Sequence, residues 1–381
     1  MYPTKKLKDC STIIAGQSPE SKYYNTDGIG IPFFQGKADF GELYPTIRVY
    51  CSQPIKIAEK DDILLSVRAP VGPTNLSPGR VCIGRGLSAI RPDKSLNLKY
   101  VLYFFRFFEA QLASQGTGTT FKSITQKTIK EMEIPVPPLS EQERIVARIE
   151  ELFSELDKAV ETLQTTKRQL EVYRQAVLKE AFSSCETIKT RDVCEHITDG
   201  DHMPPPKAES GIPFIMISNI KNNQIDWNDT CYVGLEYYES LGEKRTPCSG
   251  DVLYTVTGSY GIPIKVDFDK RFCFQRHIAL MRPNERITQK FLYYAMQSPQ
   301  VYQQASKRAT GTAQKTVGLN VLRDMDIPYT ESKNTQDNVV NEIESRLSVC
   351  DSIEQTVDTA LSQADALRQS ILKEAFEGRL V

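Results

Sequence analysis

The sequence lacks the features that mark membrane, secreted and zinc-binding proteins. It has no run of about 18 apolar residues, so no membrane-spanning helix is predicted. No apolar segment follows the opening Met-Tyr-Pro-Thr-Lys-Lys, so we expect no secretory signal and a cytoplasmic location. The nine cysteines include no Cys-x-x-Cys pair, and none of the three histidines stands at ligand spacing to such a pair. This pattern predicts free thiols and no bound metal.

Motifs of familiar catalytic sites are missing as well. There is no Gly-x-x-x-x-Gly-Lys-Ser/Thr phosphate loop. The glycines of Gly116-Thr117-Gly118 and Gly258-Ser259-Tyr260-Gly261 do not form a dinucleotide fingerprint. Met203-Pro204-Pro205-Pro206 lacks the Asn/Asp-Pro-Pro-aromatic motif of amino-methyltransferases. None of these motifs therefore identifies an active site.

Charge is unevenly distributed along the chain. The net charge is −1, but residues 1–133 carry 18 lysines and arginines against 12 acids, a net +6. Residues 183–326 carry 17 of each, and the remaining helical segments carry a net −7. A basic globular region suits contact with phosphate, and acidic helices suit contact with protein. The neutral second region weakens this argument.

Acidic residues at two kinds of position could be mistaken for a metal site. Asp61-Asp62, Asp251 and Pro92-Asp93-Lys94 each adjoin a predicted strand, and we interpret them as strand-start and turn residues rather than a nuclease centre. Asp199-Gly200-Asp201-His202 offers one histidine and two aspartates without a further ligand. We interpret it as a turn or a loop that faces nucleic acid.

A long helix is predicted after Ile134. Pro135-Val136-Pro137-Pro138 cannot be helical throughout, and Ser140-Glu141-Gln142-Glu143 reads as a capping box at the helix start. Apolar or small residues then recur in steps of four and three from Ile145 to Val177, the pattern of a coiled-coil seam. The 43 residues from Ser140 to Phe182 would span roughly 65 Å. One apolar stripe on so long a helix needs a partner.

The partner helix is predicted within the same chain. Leu178–Phe182 and Leu372–Phe376 have the same sequence, Leu-Lys-Glu-Ala-Phe, 194 residues apart. At that offset the seam runs from Val339 to Ile371, interrupted only by Arg346, beside which Leu347 would compensate. We predict two long antiparallel helices that form an intramolecular coiled coil.

The two globular regions repeat as well. Two segments of the second region correspond to segments of the first: Ile212-Pro213-Phe214-Ile215 to Ile31-Pro32-Phe33-Phe34, and Asp251–Val256 to Asp62–Val67. An aromatic helix over Leu98–Ser114 is expected to belong to the core of the first region. The scaffold repeats while the loops differ, so the chain is an internal duplication of globule and helix.

The motifs at the ends of the helices resemble those of a known family. Pro137–Val146 (Pro-Pro-Leu-Ser-Glu-Gln-Glu-Arg-Ile-Val) and the closing Leu372–Val381 closely resemble the specificity (S) subunit of type I restriction–modification systems. The resemblance covers the whole chain, although Tyr329-Thr330-Glu331-Ser332 departs from the Pro-Pro-Leu-Ser-Glu-Gln run. It implies an α+β fold with two similar target-recognition domains, whose sheets are curved, separated by the helices with pseudo-twofold symmetry. The implied boundaries are 1–133 and 183–326 for these domains and 134–182 and 327–381 for the repeat helices.

The resemblance also implies partners. The chain would be a non-catalytic subunit that reads an asymmetric, bipartite double-stranded DNA target and binds two methyltransferase (M) subunits. Restriction (R) subunits would complete the nuclease. No cofactor would be bound by this chain, since S-adenosylmethionine and ATP with Mg²⁺ belong on the partners. The helix length would set the gap between the half-sites.

We expect loop residues that pair with base edges to contact the DNA, such as Arg with guanine and Asn or Gln with adenine. In the first region these are Gln35, Lys37, Arg68, Arg85, Lys122 and Ser123. In the second they are Ser218, Asn219, Lys221, Ser259, Tyr260, Arg276, His277 and Lys315. For each of them the alternative is a solvated side chain or a phosphate contact.

Two other functions stay open at this point. The chain could be a stand-alone sequence-specific methyltransferase or nuclease, which predicts turnover with S-adenosylmethionine or Mg²⁺. It could also be a coiled-coil scaffold for proteins, which predicts no affinity for DNA.

Overall fold

The computed structural model describes residues 2–116, 122–200, 202 and 205–381. Residues 117–121, Asp201 and Met203-Pro204, which belong to motifs discussed above, lie outside the described residues. The chain divides into two compact units, Met1–Leu163 with Thr359–Val381, and Gln164–Asp358. Each unit combines an α+β head with segments of two long helices, here named the central helix (Leu139–Ala181) and the C-terminal helix (Lys333–Phe376).

The first head (residues 2–135) is built on two sheets and a closing strand pair. The first sheet is antiparallel, with strands in the order Ser11–Ala15, Leu87–Pro92, Ile63–Ser66 and Thr74–Leu76. The second has the order Tyr24–Asn25, Tyr50–Cys51, Ile31–Phe34, Val81–Ile83 and Ile57–Ala58. Thr4–Lys6 pairs with Glu133–Pro135, which brings both ends of the head to the start of the central helix.

The second head (residues 186–329) repeats this plan. Its antiparallel sheet has the order Cys194–Asp199, Ile278–Pro283, Val252–Thr255 and Pro263–Lys265. Its other sheet has the order Lys207–Ala208, Cys231–Val233, Ile212–Ile215 and Cys273–Phe274. The pair Ile220–Lys221 and Gln224–Ile225 is added, and Glu186–Lys189 closes the head against Asp326–Tyr329. The duplication inferred from the sequence is thus present in strand order.

The shorter helices complete each head. Those of the first head are Leu7–Cys10, Leu98–Phe107, Glu109–Ser114 and Gln126–Lys130, with 3₁₀ turns at Ser21–Tyr23 and Lys37–Asp39. Those of the second are Leu235–Ser240, Gln289–Gln297, Pro299–Arg308 and Leu319–Arg323, with 3₁₀ turns at Thr190–Asp192, Ile217–Asn219 and Glu243–Arg245. The single helix predicted over Leu98–Ser114 is divided at Phe108, whose ring packs on Phe104 and Phe107 with centroid distances of 4.6 and 4.8 Å.

The repeated Leu-Lys-Glu-Ala-Phe segments each dock a phenylalanine into a head. In the first unit, Phe376 packs on Tyr100 and Phe104 of the aromatic helix, with ring centroids 5.1 and 5.6 Å away. In the second unit, Phe182 packs edge-on against Phe291 at 5.3 Å. The aromatic residues of the helix Leu98–Phe107 therefore belong to the core of the first unit, as the sequence predicted.

The two long helices pair within each unit. In the second unit Lys167 bonds Asp358 and Arg174 bonds Asp351, both at 2.6 Å. Arg346 bonds Glu180 at 2.9 Å, so residue numbers fall along one helix as they rise along the other. The predicted antiparallel pairing is confirmed there. In the first unit Arg368 pairs with Asp157 and lies over the Phe153 ring.

The predicted seam is only partly buried. Its buried members include Ile145, Ile149, Leu170, Val177, Ile343, Cys350, Val357, Ala364 and Ile371. Its exposed members are Ala159, Tyr173, Ile353 and Leu367. These four lie at two matching positions of the repeat, so both copies of the seam are open at the same places. Arg346 is half-buried, and Leu347 beside it packs against the core of the second unit.

The starts of the long helices differ from expectation. The central helix begins at Leu139, one residue before the predicted cap, and the Pro138 carbonyl accepts the Glu141 and Gln142 N–H groups. The C-terminal helix begins at Lys333, where the Ser332 hydroxyl accepts the Thr335 N–H at 3.3 Å. Ser332 thus caps a helix start that the sequence left irregular.

Candidate nucleic-acid interface

In each head, the loops that follow one pair of parallel strands lie next to each other. Ile31–Phe34 lies parallel to Val81–Ile83, and Ile212–Ile215 lies parallel to Cys273–Phe274. Because the carboxyl ends of parallel strands meet at one edge, the loops after Phe34 and Ile83 emerge together. The same holds after Ile215 and Phe274, so each head presents two neighbouring loops at one edge.

The first head gathers five of its six candidate residues at this edge. Two clefts of about 240 and 180 Å³ share the exposed Arg68 and Arg85. Gln35 and Lys37 line the larger cleft, and Ser123 lines the smaller one. A β-bridge joins Arg68 to Ser123, and the exposed Lys122 precedes it. The result is a basic surface with an amide and a hydroxyl, which can contact phosphates and base edges.

The second head has a less polar cleft at the corresponding edge. A pocket of about 260 Å³ is lined by apolar Phe214, Met216 and Val233 and by candidates Arg276 and His277. Gln275 Nε2 lies 2.9 Å from His277 Nδ1, which holds the two side chains against each other. Burial, and then the nearby Arg276 guanidinium, lower the pKa of His277. The ring is therefore neutral at neutral pH, and can offer both a donor and an acceptor.

A second group of candidates in this head lies on adjoining loops. Thr257 and Thr316 form a β-bridge, and the Gly258 N–H donates to the Lys315 carbonyl at 3.0 Å. This bridge corresponds to Arg68 and Ser123 in the first head. Ser259 and Lys315 are exposed beside it. Tyr260 is half-buried, stacks on Tyr302 and donates to Ser306 Oγ at 3.2 Å, so most of its ring is used in packing.

The remaining candidates form a third, local group. Asn219 is buried, and its Oδ1 accepts the Met216 N–H at 3.0 Å, which stabilises its own turn. Lys221 is exposed and bonds Asp226 at 2.6 Å. Ser218 is exposed between them. The described contacts give Asn219 a structural role and leave Ser218 and Lys221 exposed.

Two acidic residues considered for a nuclease centre are engaged in ion pairs. Asp62 is buried and bonds Arg91 at 2.7 Å through both oxygens, and Asp251 bonds Arg282 in the same way at 2.8 Å. Each carboxylate also accepts a backbone N–H. His202 lies 2.8 Å from Asp199. Within the described residues no three His, Cys, Asp or Glu side chains are placed to hold a metal ion.

Sequence reasoning missed two buried glutamines that join each head to a long helix. Gln142 accepts the Asn97 N–H at 2.7 Å and donates to the Ser95 and Pro137 carbonyls, both at 2.9 Å. Gln336 accepts the Thr288 N–H and donates to the Arg286 and Thr330 carbonyls, all at 2.8 Å. The two residues are 194 positions apart, so aligning the helix repeats would have found them.

No helix in the described part of the chain is long and apolar enough to cross a membrane. The fold and its two recurring edges define an internally duplicated protein with a cleft at one loop-bearing edge of each head. Residues 2–171 match the type I restriction modification DNA specificity domain.

Curated relatives carry the same description. A putative type I restriction enzyme MjaX specificity subunit of Methanocaldococcus jannaschii is 38% identical over 179 residues, 47% of this chain and 41% of that protein. The EcoKI specificity subunit of Escherichia coli (strain K12) is 24% identical over 330 residues, 80% of this chain and 70% of that protein. The match thus spans 41% of the length of the MjaX subunit and 70% of the length of the EcoKI subunit.

Solved structures agree in fold. A chain from a structure of complex assembly and conformational transition of the type I R-M system has a TM-score of 0.76 at 18% identity, covering 99% of this chain and 98% of that one. The HsdS subunit from Thermoanaerobacter tengcongensis has a TM-score of 0.54 at 18% identity, covering 99% and 97%. The solved structures thus match this chain in fold over almost its whole length, and the family match covers residues 2–171.

Proposed function

We propose that this chain is the sequence-reading subunit of a type I restriction–modification complex. Each head would read one half of an asymmetric, bipartite DNA target from the edge of its parallel strand pair. The observation that carries the proposal is a shared scaffold with different residues at the reading edge. Gln35 and Lys37 stand in the first head, where Met216 and Ser218 stand in the second. Two similar heads with different edges suit two different half-sites.

The long helices supply the rest of the proposed function. Their charged outer faces and exposed seam positions would bind two methyltransferase subunits, and restriction subunits would join that assembly. The chain itself would have no catalytic role, because its acidic residues nearest to a nuclease pattern are held by arginines. S-adenosylmethionine, ATP and Mg²⁺ would be bound by the partners. A complex that acts on DNA in this way would work in the cytoplasm.

Reconstitution tests this proposal against a stand-alone enzyme. Methyl transfer from labelled S-adenosylmethionine to DNA should need the methyltransferase subunit and this chain together. This chain alone should transfer no methyl groups and should not cut DNA with Mg²⁺. Turnover by the chain alone would favour the stand-alone methyltransferase or nuclease. A complex whose activity is independent of DNA sequence would favour a scaffold without a reading function.

A further inference from the structure

The turn after the parallel strand has the same geometry in both heads and carries an arginine at the same place. In the first head the Gly84 N–H donates to the Phe34 carbonyl at 2.8 Å, and the Leu87 N–H closes the turn onto the Gly84 carbonyl at 3.0 Å. Arg85 is the second residue of this turn.

In the second head the Gln275 N–H donates to the Ile215 carbonyl, and the Ile278 N–H closes onto the Gln275 carbonyl, both at 3.0 Å. Arg276 is the second residue here too. The backbone therefore fixes both arginines at equivalent positions of the reading edge.

These two arginines differ from the next arginine along the chain, which is ion-paired in each head. Arg91 and Arg282, farther along the following strands, bond the buried carboxylates of Asp62 and Asp251. Arg85 and Arg276 are exposed, and among the residues described no carboxylate lies within ion-pair distance of either guanidinium. An unpaired guanidinium on a fixed turn presents a planar set of donors to an external ligand with paired acceptors.

Their neighbours indicate the kind of acceptor. Arg85 lines a cleft with Gln35, and Arg276 lines one with Gln275 and His277. Amide and neutral imidazole groups combine donors and acceptors, which suits the mixed edges of bases better than phosphate oxygens. Arginine pairs most often with the O6 and N7 atoms of guanine in the major groove.

The residues on either side of the arginine differ between the heads. In the first head Gly86 approaches Gln35 so closely that an added Cβ would lie 2.1 Å from the Gln35 carbonyl oxygen. In the second head Gln275 and His277 occupy the flanking positions and bond each other. The turn therefore has one arginine that is common to both heads and flanking residues that differ between them.

We infer that Arg85 and Arg276 are equivalent base-reading residues, each recognising one guanine in the half-site of its own head. This inference rests on the proposed function, since it needs heads that read DNA. The flanking residues, glycines in one turn and Gln275 with His277 in the other, give the two half-sites different bases beside the common guanine.

The test is a binding selection from a randomised DNA library by the full chain in complex with its methyltransferase subunits. The variants are Arg85→Ala, Arg85→Lys, Arg276→Ala and Arg276→Lys. Matched controls are Arg80→Ala and Arg271→Ala. These exposed arginines lie at corresponding positions in the two heads, just before the strands that lead into the two turns.

Each Arg85 variant should lose roughly 5- to 150-fold discrimination at one guanine of one half-site and leave the other half-site unchanged. The Arg276 variants should do the same in the other half-site. Lysine should not restore the preference, because it lacks the two-pronged geometry. The Arg80 and Arg271 controls should retain the wild-type motif.

Several outcomes would overturn the inference. A weaker affinity for all sequences with an unchanged motif, together with a shallower salt dependence, would identify the arginines as phosphate contacts. Preservation of the motif by the lysine variants would likewise show that only charge matters. If the wild-type complex selects no sequence at all, the proposed function fails, whereas a wild-type motif that survives in both alanine variants refutes only the inference.

Discussion

The buried glutamine Gln142 gives the sharpest prediction about what holds a head on its helix. It is fully buried and makes three hydrogen bonds, one from the Asn97 N–H and two to the Ser95 and Pro137 carbonyls. Replacing it with alanine leaves one N–H and two carbonyl groups without this partner. Each unsatisfied buried polar group costs about 1–3 kcal/mol, but relaxation and water recover part of that cost. We expect Gln142→Ala to destabilise the first unit by about 2–4 kcal/mol.

Hydrogen exchange resolves this effect by location. The amides of the helix Leu98–Phe107, which begins at Asn97, should lose protection in Gln142→Ala, while those of Gln289–Gln297 in the second unit should not. Gln336→Ala should show the reverse, because Gln336 makes the matching bonds in the second unit. Gln142→Met keeps the volume and removes the polar groups, so it isolates the hydrogen-bond loss.

The control is Gln175→Ala, on an exposed position of the central helix. It should change stability by no more than about 0.5 kcal/mol. A Gln142→Ala variant that behaves like this control would refute the claim that the glutamine fastens the head. Equal loss of protection in both units would refute the claim that its effect is confined to the first.

Three further predictions follow from the packing, the histidines and the helices. Phe376→Ala should destabilise the first unit by about 3–5 kcal/mol in denaturant melts, since it removes a buried ring from the aromatic cluster, and an exposed Val381→Ala substitution should not. His196, whose Nε2 is buried without a partner in the described residues, has a pKa lowered first by burial and then by Arg282. The unfolded chain therefore binds the extra proton, so the stability of the second unit should fall as pH drops below about 6.5, and His196→Gln should remove that part of the fall. Inserting seven residues into each long helix near the Lys167–Asp358 pair keeps the heptad repeat and lengthens each helix by about 10 Å. The gap between the two half-sites should then lengthen by about 3 base pairs. An unchanged gap in methylation footprints would reject the role of the helices as a spacer.

Repeated features were the ones that sequence reasoning could predict. A seam, a start signal and an end signal recurring 194 residues apart pointed to two paired helices, and the repeated Ile-Pro-Phe strands pointed to two heads on one scaffold. These patterns depend on local periodicity and on burial, which a sequence displays directly. Five of six candidates in the first head line two adjoining clefts, because Gln35, Lys37 and Arg85 follow the two parallel strands and the Arg68–Ser123 bridge lies beside them.

Features that depend on tertiary contacts were not predictable in the same way. Asn219 is of a type that reads adenine, yet its amide is used inside its own turn. Tyr173 and Ile353 satisfy the heptad pattern, yet they are 44% and 41% exposed, and the opposite helix meets the Tyr173 ring with the Arg346 guanidinium rather than with an apolar side chain. Gln142 looked like part of a cap, and only the fold shows that its partners are Asn97 and Ser95, 45 and 47 residues away in sequence.

The most direct measurement is to sequence the DNA sites that the reconstituted methyltransferase complex modifies in a randomised library. If two dissimilar heads on one duplicated chain each read DNA, the modified sites will share one motif of two specific parts separated by a fixed number of unspecified bases. Modification at a single continuous motif, or at sites with no common sequence, would contradict this account.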